Sequence, residues 1–323
     1  MRRPAAVVLS LALALAACAA FPHAASAKPA MPSGAGHTLT ANGVTIWYEV
    51  RGSGTGTPFI LVNGGPGFDH GYELCSDVWD TLARSRRVVL YDQRGTGRST
   101  PFSAKMSCTL SDQIADLDAI RRELHAPRVI LMGHSWGGYL VMAYTTKHPE
   151  NVERLIICDS AAPKWGDTEF LFKNFYPGEL QEQGRTDLAD QLGDSTGYGR
   201  SLHQYLGWLF VSTAKRDEFM AHADDYHVTR AVNEALNADL AKYDFWPALA
   251  AFTCPTLVLT GRHDINVAPS TAWKIHQAIP GSHFAVFEQS GHMPFFEEPE
   301  AFVSTIEDFL GGRMDGAASA ASR

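Results

Sequence analysis

From about residue 44 onward, short apolar runs alternate with segments of helical period, and no other feature narrows the possible folds as far. The runs cover residues 44–50, 59–62, 87–91, 129–132, 155–158, 256–260 and 284–287. Most are four or five residues long, rich in Val, Ile and Leu, and bounded by turn residues, as strands buried on both faces are. Between them, residues 111–124 (opening on Ser111 as cap), 138–147, 269–279 and 299–310 repeat apolar positions with a helical period. Strands that alternate with helices predict an α/β fold with a mostly parallel sheet flanked by crossover helices.

The alternation stops over residues 161–250, which carry helical pattern and many aromatics, among them Trp165, Phe170, Phe172, Tyr205 and Trp208. This stretch reads as a helical cap inserted into the sheet domain, with residues 28–160 and 251–312 forming the core. Most of its aromatics are expected to form the cap's own core. Residues 313–323 are small and polar and read as a disordered tail. At the other end, Arg2 and Arg3 precede an apolar stretch over 5–20, followed by Ala25-Ser26-Ala27. That order predicts a signal peptide over 1–27 and a periplasmic or secreted protein. Leu15-Ala16-Ala17-Cys18 also has the form of a lipobox, so a lipid anchor at Cys18 is the alternative outcome, and the only membrane attachment expected.

A net charge of −8, with the charges scattered, excludes the basic footprint of a nucleic-acid binder. Cys75, Cys108, Cys158 and Cys254 have no metal-ligand spacing, and neither a metal nor an organic cofactor is implied. Cys158 and Cys254 read as core residues. Cys75 and Cys108 lie in polar connections, where an oxidising compartment permits a disulfide between them.

Two G-x-S-x-G matches compete. Gly193-Asp194-Ser195-Thr196-Gly197 has no strand before it, whereas Gly133-His134-Ser135-Trp136-Gly137 follows an apolar run and leads into a helix. A nucleophilic serine of this type needs a strand, a sharp turn and then a helix, so Ser135 is the candidate nucleophile. A serine hydroxyl needs a base, and the imidazolium so formed needs a carboxylate behind it. On such sheets the partners follow as acid and then histidine, each after a late strand. Asp264 follows the run 256–260 and His292 follows 284–287. Asp159, also at a strand end, is the rival acid; His263 reads as a surface residue, and His134 as a packing one.

Stabilising the oxyanion takes two backbone N–H donors, worth about 2.7–4 kcal/mol each. Trp136, after the nucleophile, supplies one. The loop Asn63-Gly64-Gly65-Pro66-Gly67 follows the run 59–62, and Gly65 is assigned the other.

Gly64-Gly65-Pro66-Gly67, then Asp92-Gln93-Arg94-Gly95-Thr96-Gly97-Arg98-Ser99, then Gly133-His134-Ser135-Trp136-Gly137-Gly138 together resemble the proline iminopeptidase family of α/β-hydrolase serine peptidases. The resemblance covers about 64–163 and 254–302 and is faint through the cap. It implies the α/β-hydrolase fold, a lidded pocket, Ser-Asp-His machinery and release of N-terminal proline from short peptides. Asn63 departs from the histidine usual before Gly-Gly-Pro-Gly and shapes the oxyanion loop. The family holds the substrate amine with cap carboxylates, and the resemblance assigns Glu234, in Asn233-Glu234-Ala235, to that role. Glu218, Asp224 and Asp225 are open choices for a second carboxylate. A cationic amine entering an apolar pocket is costly unless a carboxylate meets it. Without such a pair the same machinery favours esters or lactones, so the expected partner is a small peptide or ester. The complete set of Ser135, Asp264 and His292 argues against a catalytically silent binding protein.

Overall fold

The computed structural model describes residues 35–179, 181, 204–222 and 226–314. The leader with Cys18, Ser195, Asp224, Asp225 and tail residues 315–323 lie outside the described residues. Eight strands form one sheet: β1 (Ala35–Ala41), β2 (Val44–Arg51), β3 (Phe59–Val62), β4 (Val88–Tyr91), β5 (Val129–His134), β6 (Val152–Cys158), β7 (Thr256–Gly261) and β8 (His283–Phe287). Their order is β1-β2-β4-β3-β5-β6-β7-β8. The pairs β1–β2 and β2–β4 are antiparallel, and every later pair is parallel. The described helices are α1 (Val78–Ala83), α2 (Leu110–Glu123), α3 (Trp136–Lys147), α4 (Phe172–Phe175), α5 (Thr213–Met220), α6 (Arg230–Leu240), α7 (Trp246–Leu249), α8 (Pro269–Ala278), α9 (Pro294–Glu297) and α10 (Pro299–Leu310).

Successive strand side chains point to opposite faces, so each central strand feeds two cores. Ile60, Val62, Val89 and Leu131 pack with α2, α3 and α8 on one face. Phe59, Leu61, Val88 and Met132 pack with α1, α9 and α10 on the other. This division settles the cysteines: Cys108 belongs to the first core and Cys75 to the second, and no disulfide joins them.

Helix α2 starts one residue before the expected segment. Thr109, not Ser111, is its cap: Thr109 Oγ1 accepts from Asp112 N at 3.2 Å, and Asp112 Oδ2 accepts from Thr109 N at 2.9 Å. Ser111 lies inside the first turn. The same helix carries Asp116, which takes two hydrogen bonds of 2.7 Å from Arg94 Nε and Nη2. Both side chains are buried, so the stretch from Asp92 to Ser99 holds the fold rather than the substrate. Its Asp92 receives His70 Nδ1 at 2.7 Å and Arg98 N at 2.8 Å.

Candidate active site

Strands β5, β6, β7 and β8 are consecutive parallel neighbours, so the residues after their C-terminal ends meet at one edge of the sheet. Ser135 stands between β5 and α3 with φ 57° and ψ −118°, a conformation that costs a non-glycine residue energy. Neighbouring backbone holds it there: Ser135 N donates to Cys158 O at 2.9 Å, and Ser135 O accepts from Gly138 N at 3.0 Å. Gly137 has to be glycine, because a Cβ there would run into the Val62 carbonyl.

Strand β3 pairs with β5, which sets the loop after Val62 against Ser135. Gly65 sits at φ 126°, open to glycine but not to other residues. Gln93 ties the two sides together: its Nε2 donates to Asn63 O at 2.9 Å, and its Oε1 accepts from the Trp136 indole at 2.9 Å. Asn63 Nδ2 donates in turn to Phe68 O at 2.8 Å. The cap presses on the same loop, with Thr229 N donating to Gly67 O at 2.8 Å and Asn233 Nδ2 to Pro66 O at 3.2 Å. The backbone N–H groups of Gly65 and Trp136 have no acceptor among the described residues.

His292 Nδ1 lies 2.7 Å from Asp264 Oδ2, and both residues are buried. Asp264 Oδ1 accepts from Asn266 N and Val267 N at 2.8 and 2.9 Å. Asp159 is also here, with carboxylate oxygens and imidazole nitrogen of Asp159, Asp264 and His292 all within 4.8 Å of one another. Its Oδ1 accepts from Gly261 N at 2.9 Å and Thr260 Oγ1 at 3.2 Å. Burial and then the Asp264 carboxylate push the Asp159 carboxyl well above its usual range, which favours its protonated form.

Ser135 Oγ makes no hydrogen bond among the described residues. The Nε2 of His292 faces the Asn266 amide at 3.0 Å instead. His134 is buried and bonded at both ring nitrogens, to the Tyr72 hydroxyl and to His292 O, each at 2.8 Å. Burial and then the nearby His292 push its pKa far down, so the ring is neutral, accepting from Tyr72 at Nδ1 and donating at Nε2. The Tyr72 hydroxyl also accepts from Gly64 N at 2.5 Å. His263 is exposed.

Two arms of one cavity meet at Ser135, Gly65 and Tyr205. The narrow arm, about 30 Å³, is walled by Phe68, Tyr72, Leu206, Leu209, Phe219 and Met293. The wider arm, about 290 Å³, is walled by Trp165, Phe170, Phe172, Lys173, Asn233 and Asn266 among others. Glu234 lines neither: one position along α6 from Asn233, it points outward into an ion pair with Arg230 at 2.9 Å. Glu218 is exposed and bonded to Lys215 at 3.1 Å. Asn266 and Tyr205 had no sequence signal beyond Asn266 lying two residues after Asp264.

Residues 57–299 match the family described as alpha/beta hydrolase fold. The chain is 32% identical over 269 residues to a proline iminopeptidase of Heyndrickxia coagulans, covering 80% of this chain and 92% of that one. Among solved structures, an alpha/beta fold family hydrolase of Bacillus anthracis superposes with a TM-score of 0.71 at 21% identity, covering 86% of this chain and 99% of the other. A thermophilic esterase of Thermogutta terrifontis superposes with a TM-score of 0.65 at 25% identity, covering 85% and 96%. The strand order, the turn at Ser135 and these similarities converge: the chain belongs to the α/β hydrolase fold family, as a hydrolase of the proline iminopeptidase type.

Proposed function

We propose that Ser135 attacks a carbonyl carbon while His292 takes its proton and Asp264 orients the imidazole. The N–H groups of Gly65 and Trp136 receive the oxyanion. His292 then protonates the leaving group, and water releases the acyl group from Ser135. The carrying observation is the short His292–Asp264 contact beside a serine in the strained turn, with the Gly65 and Trp136 N–H groups left without an acceptor among the described residues. The substrate we propose is a short peptide whose N-terminal residue, proline or one as small, enters the narrow apolar arm. The resemblance to the Heyndrickxia coagulans proline iminopeptidase supports this choice.

One observation favours a second reading, an esterase or lactonase using the same residues. Among the described residues lining the two arms there is no carboxylate, apart from any substrate group, to receive a cationic amine. The likeness to the thermophilic esterase fits this reading. Turnover of a prolyl arylamide against short acyl esters and a lactone separates the two. The peptidase reading expects the arylamide to give the higher kcat/KM, and a detectable rate on esters alone overturns it. Because Glu234 faces solvent, Glu234→Ala is expected to leave kcat/KM on either substrate within about twofold, as surface changes generally do. A large loss confined to the arylamide would restore Glu234 to the amine site. The proposal includes export through the segment 1–27, with cell fractionation as its check: activity confined to the cytoplasm would refute it.

A further inference from the structure

His292 is held ready without yet serving Ser135. Its Nδ1 is committed to Asp264 at 2.7 Å, and its Nε2 meets Asn266 Nδ2 at 3.0 Å. Asn266 Oδ1 accepts from the Tyr205 hydroxyl at 2.9 Å, which leaves the amide NH2 toward the imidazole. An amide NH2 can only donate, so Nε2 presents its lone pair to it. That lone pair is the one the serine proton needs. Asn266 is buried, and Tyr205 comes from the cap.

We infer that Asn266 is a positioning residue: braced by Tyr205, it covers the His292 Nε2 lone pair in the substrate-free site, and a substrate filling both arms of the cavity engages Tyr205 and releases the base to Ser135. This rests on the serine–histidine reading above and adds a gate to it. Three arrangements support it. Tyr205 is shared by the two arms, so a substrate that spans them packs against the side chain whose hydroxyl holds Asn266, and Asn266 itself lines the wider arm. The cap segment after Tyr205 is bonded to the His292 loop: His292 N donates to Leu209 O at 2.8 Å. Glu297 Oε1 accepts from Val211 N, and its Oε2 from Gly291 N, at 2.9 and 2.6 Å. Finally, the pair loses no bond when the base is used. Once Nε2 carries the proton it becomes a donor, and Asn266 can turn its Oδ1 to accept while the Tyr205 hydroxyl accepts from Nδ2. The other polar groups facing His292 are Asp264 and Asp159 from the β7 and β6 ends and His134, whose ring centroid is 4.7 Å away. Among the described residues only Asn266 meets Nε2.

Tyr205→Phe and Asn266→Ala, in the full chain, test the gate. A small fluorophosphonate and an acetyl ester are too short to fill both arms and must wait for the base to free itself. Displacing one hydrogen bond is a factor of about 3–10. Both variants are therefore expected to react with these small probes about 3–10 times faster than wild type, with no matching gain on a prolyl arylamide or a long-chain ester. Small-probe rates within about twofold of wild type, or lower, overturn the gate, as does an equal gain on the large substrates. Should Asn266→Ala fold poorly in a thermal melt, Tyr205→Phe alone decides, since it removes a single oxygen. Ser135→Ala and His292→Ala serve as controls. Surviving fluorophosphonate labelling in either sinks the serine–histidine reading itself, whereas lost labelling with an unchanged Tyr205→Phe sinks only the gate.

Discussion

Asp264→Asn is expected to lower kcat about 10⁴-fold, and Asp159→Asn to leave it within about threefold of wild type. The two carboxyls stand side by side behind one imidazole, yet their surroundings give them different work. Asp264 takes Nδ1 of His292 on one oxygen and two backbone amides on the other. An asparagine there would offer an NH2 to Nδ1, shift the ring proton to Nε2 and remove the base from Ser135. Burial and the neighbouring carboxylate favour the protonated form of Asp159. Asparagine mimics that neutral form, keeping an oxygen for Gly261 N and a donor beside Asp264. Ser135→Ala and His292→Ala should each cost about 10⁶ in kcat. Steady-state kinetics on the best substrate, with melting curves to confirm folding, decide the matter. Equal losses in Asp159→Asn and Asp264→Asn would mean that the orienting charge is shared.

Glu73→Gln is expected to stabilise the fold, and to do so more as pH rises. Glu73 is fully buried with neither carboxylate oxygen hydrogen bonded. Burial pushes its pKa from 4.5 up to about 8. Below pH 4.5 folded and unfolded chains both hold the proton, and Glu73 causes no loss. Between 4.5 and about 8 the folded chain keeps a proton that the unfolded chain has released, so stability falls as pH rises, and above about 8 the loss is complete. At about 1.4 kcal/mol per pH unit the full span is on the order of 4–5 kcal/mol, and the neutral glutamine escapes it. Urea midpoints at pH 4.5 and pH 8.5 supply the check: a gain of the same size at both would show that Glu73 does not titrate with folding.

Much of this architecture is legible in sequence because buried parallel strands advertise themselves. Residues 59–62 and 299–310 read at the bounds of β3 and α10, where apolar runs end in turn residues or begin with proline. Strand β1 does not read, since of its described side chains only Leu39 is buried and the rest follow no apolar alternation. Helix α1 is six residues long, too short for a period to declare itself. Thr109 was readable as a cap from Asp112 three residues on, and Ser111 competed only because it is also a good capping residue. The candidate constellation is legible because chain order and strand ends place Ser135, Asp264 and His292 at one edge of the sheet. Partners set by tertiary packing are not. Cys75 and Cys108 are divided by the sheet. Glu234 differs from Asn233 by about 100° of helix rotation, enough to exchange cavity for solvent. Asn266 depends on a tyrosine about sixty residues earlier whose hydroxyl orients its amide.

The position between Gly133 and Ser135 tolerates variety in turns of this kind, but here its imidazole is a tie rod. One nitrogen fastens Tyr72, from which the Gly64 amide hangs, and the other fastens the carbonyl of His292. The Gly64 loop and the His292 loop are thus both tied to the residue before Ser135. Randomising residue 134 while leaving Ser135, Asp264 and His292 intact should therefore return few active sequences, chiefly those whose side chain can accept at one end and donate at the other.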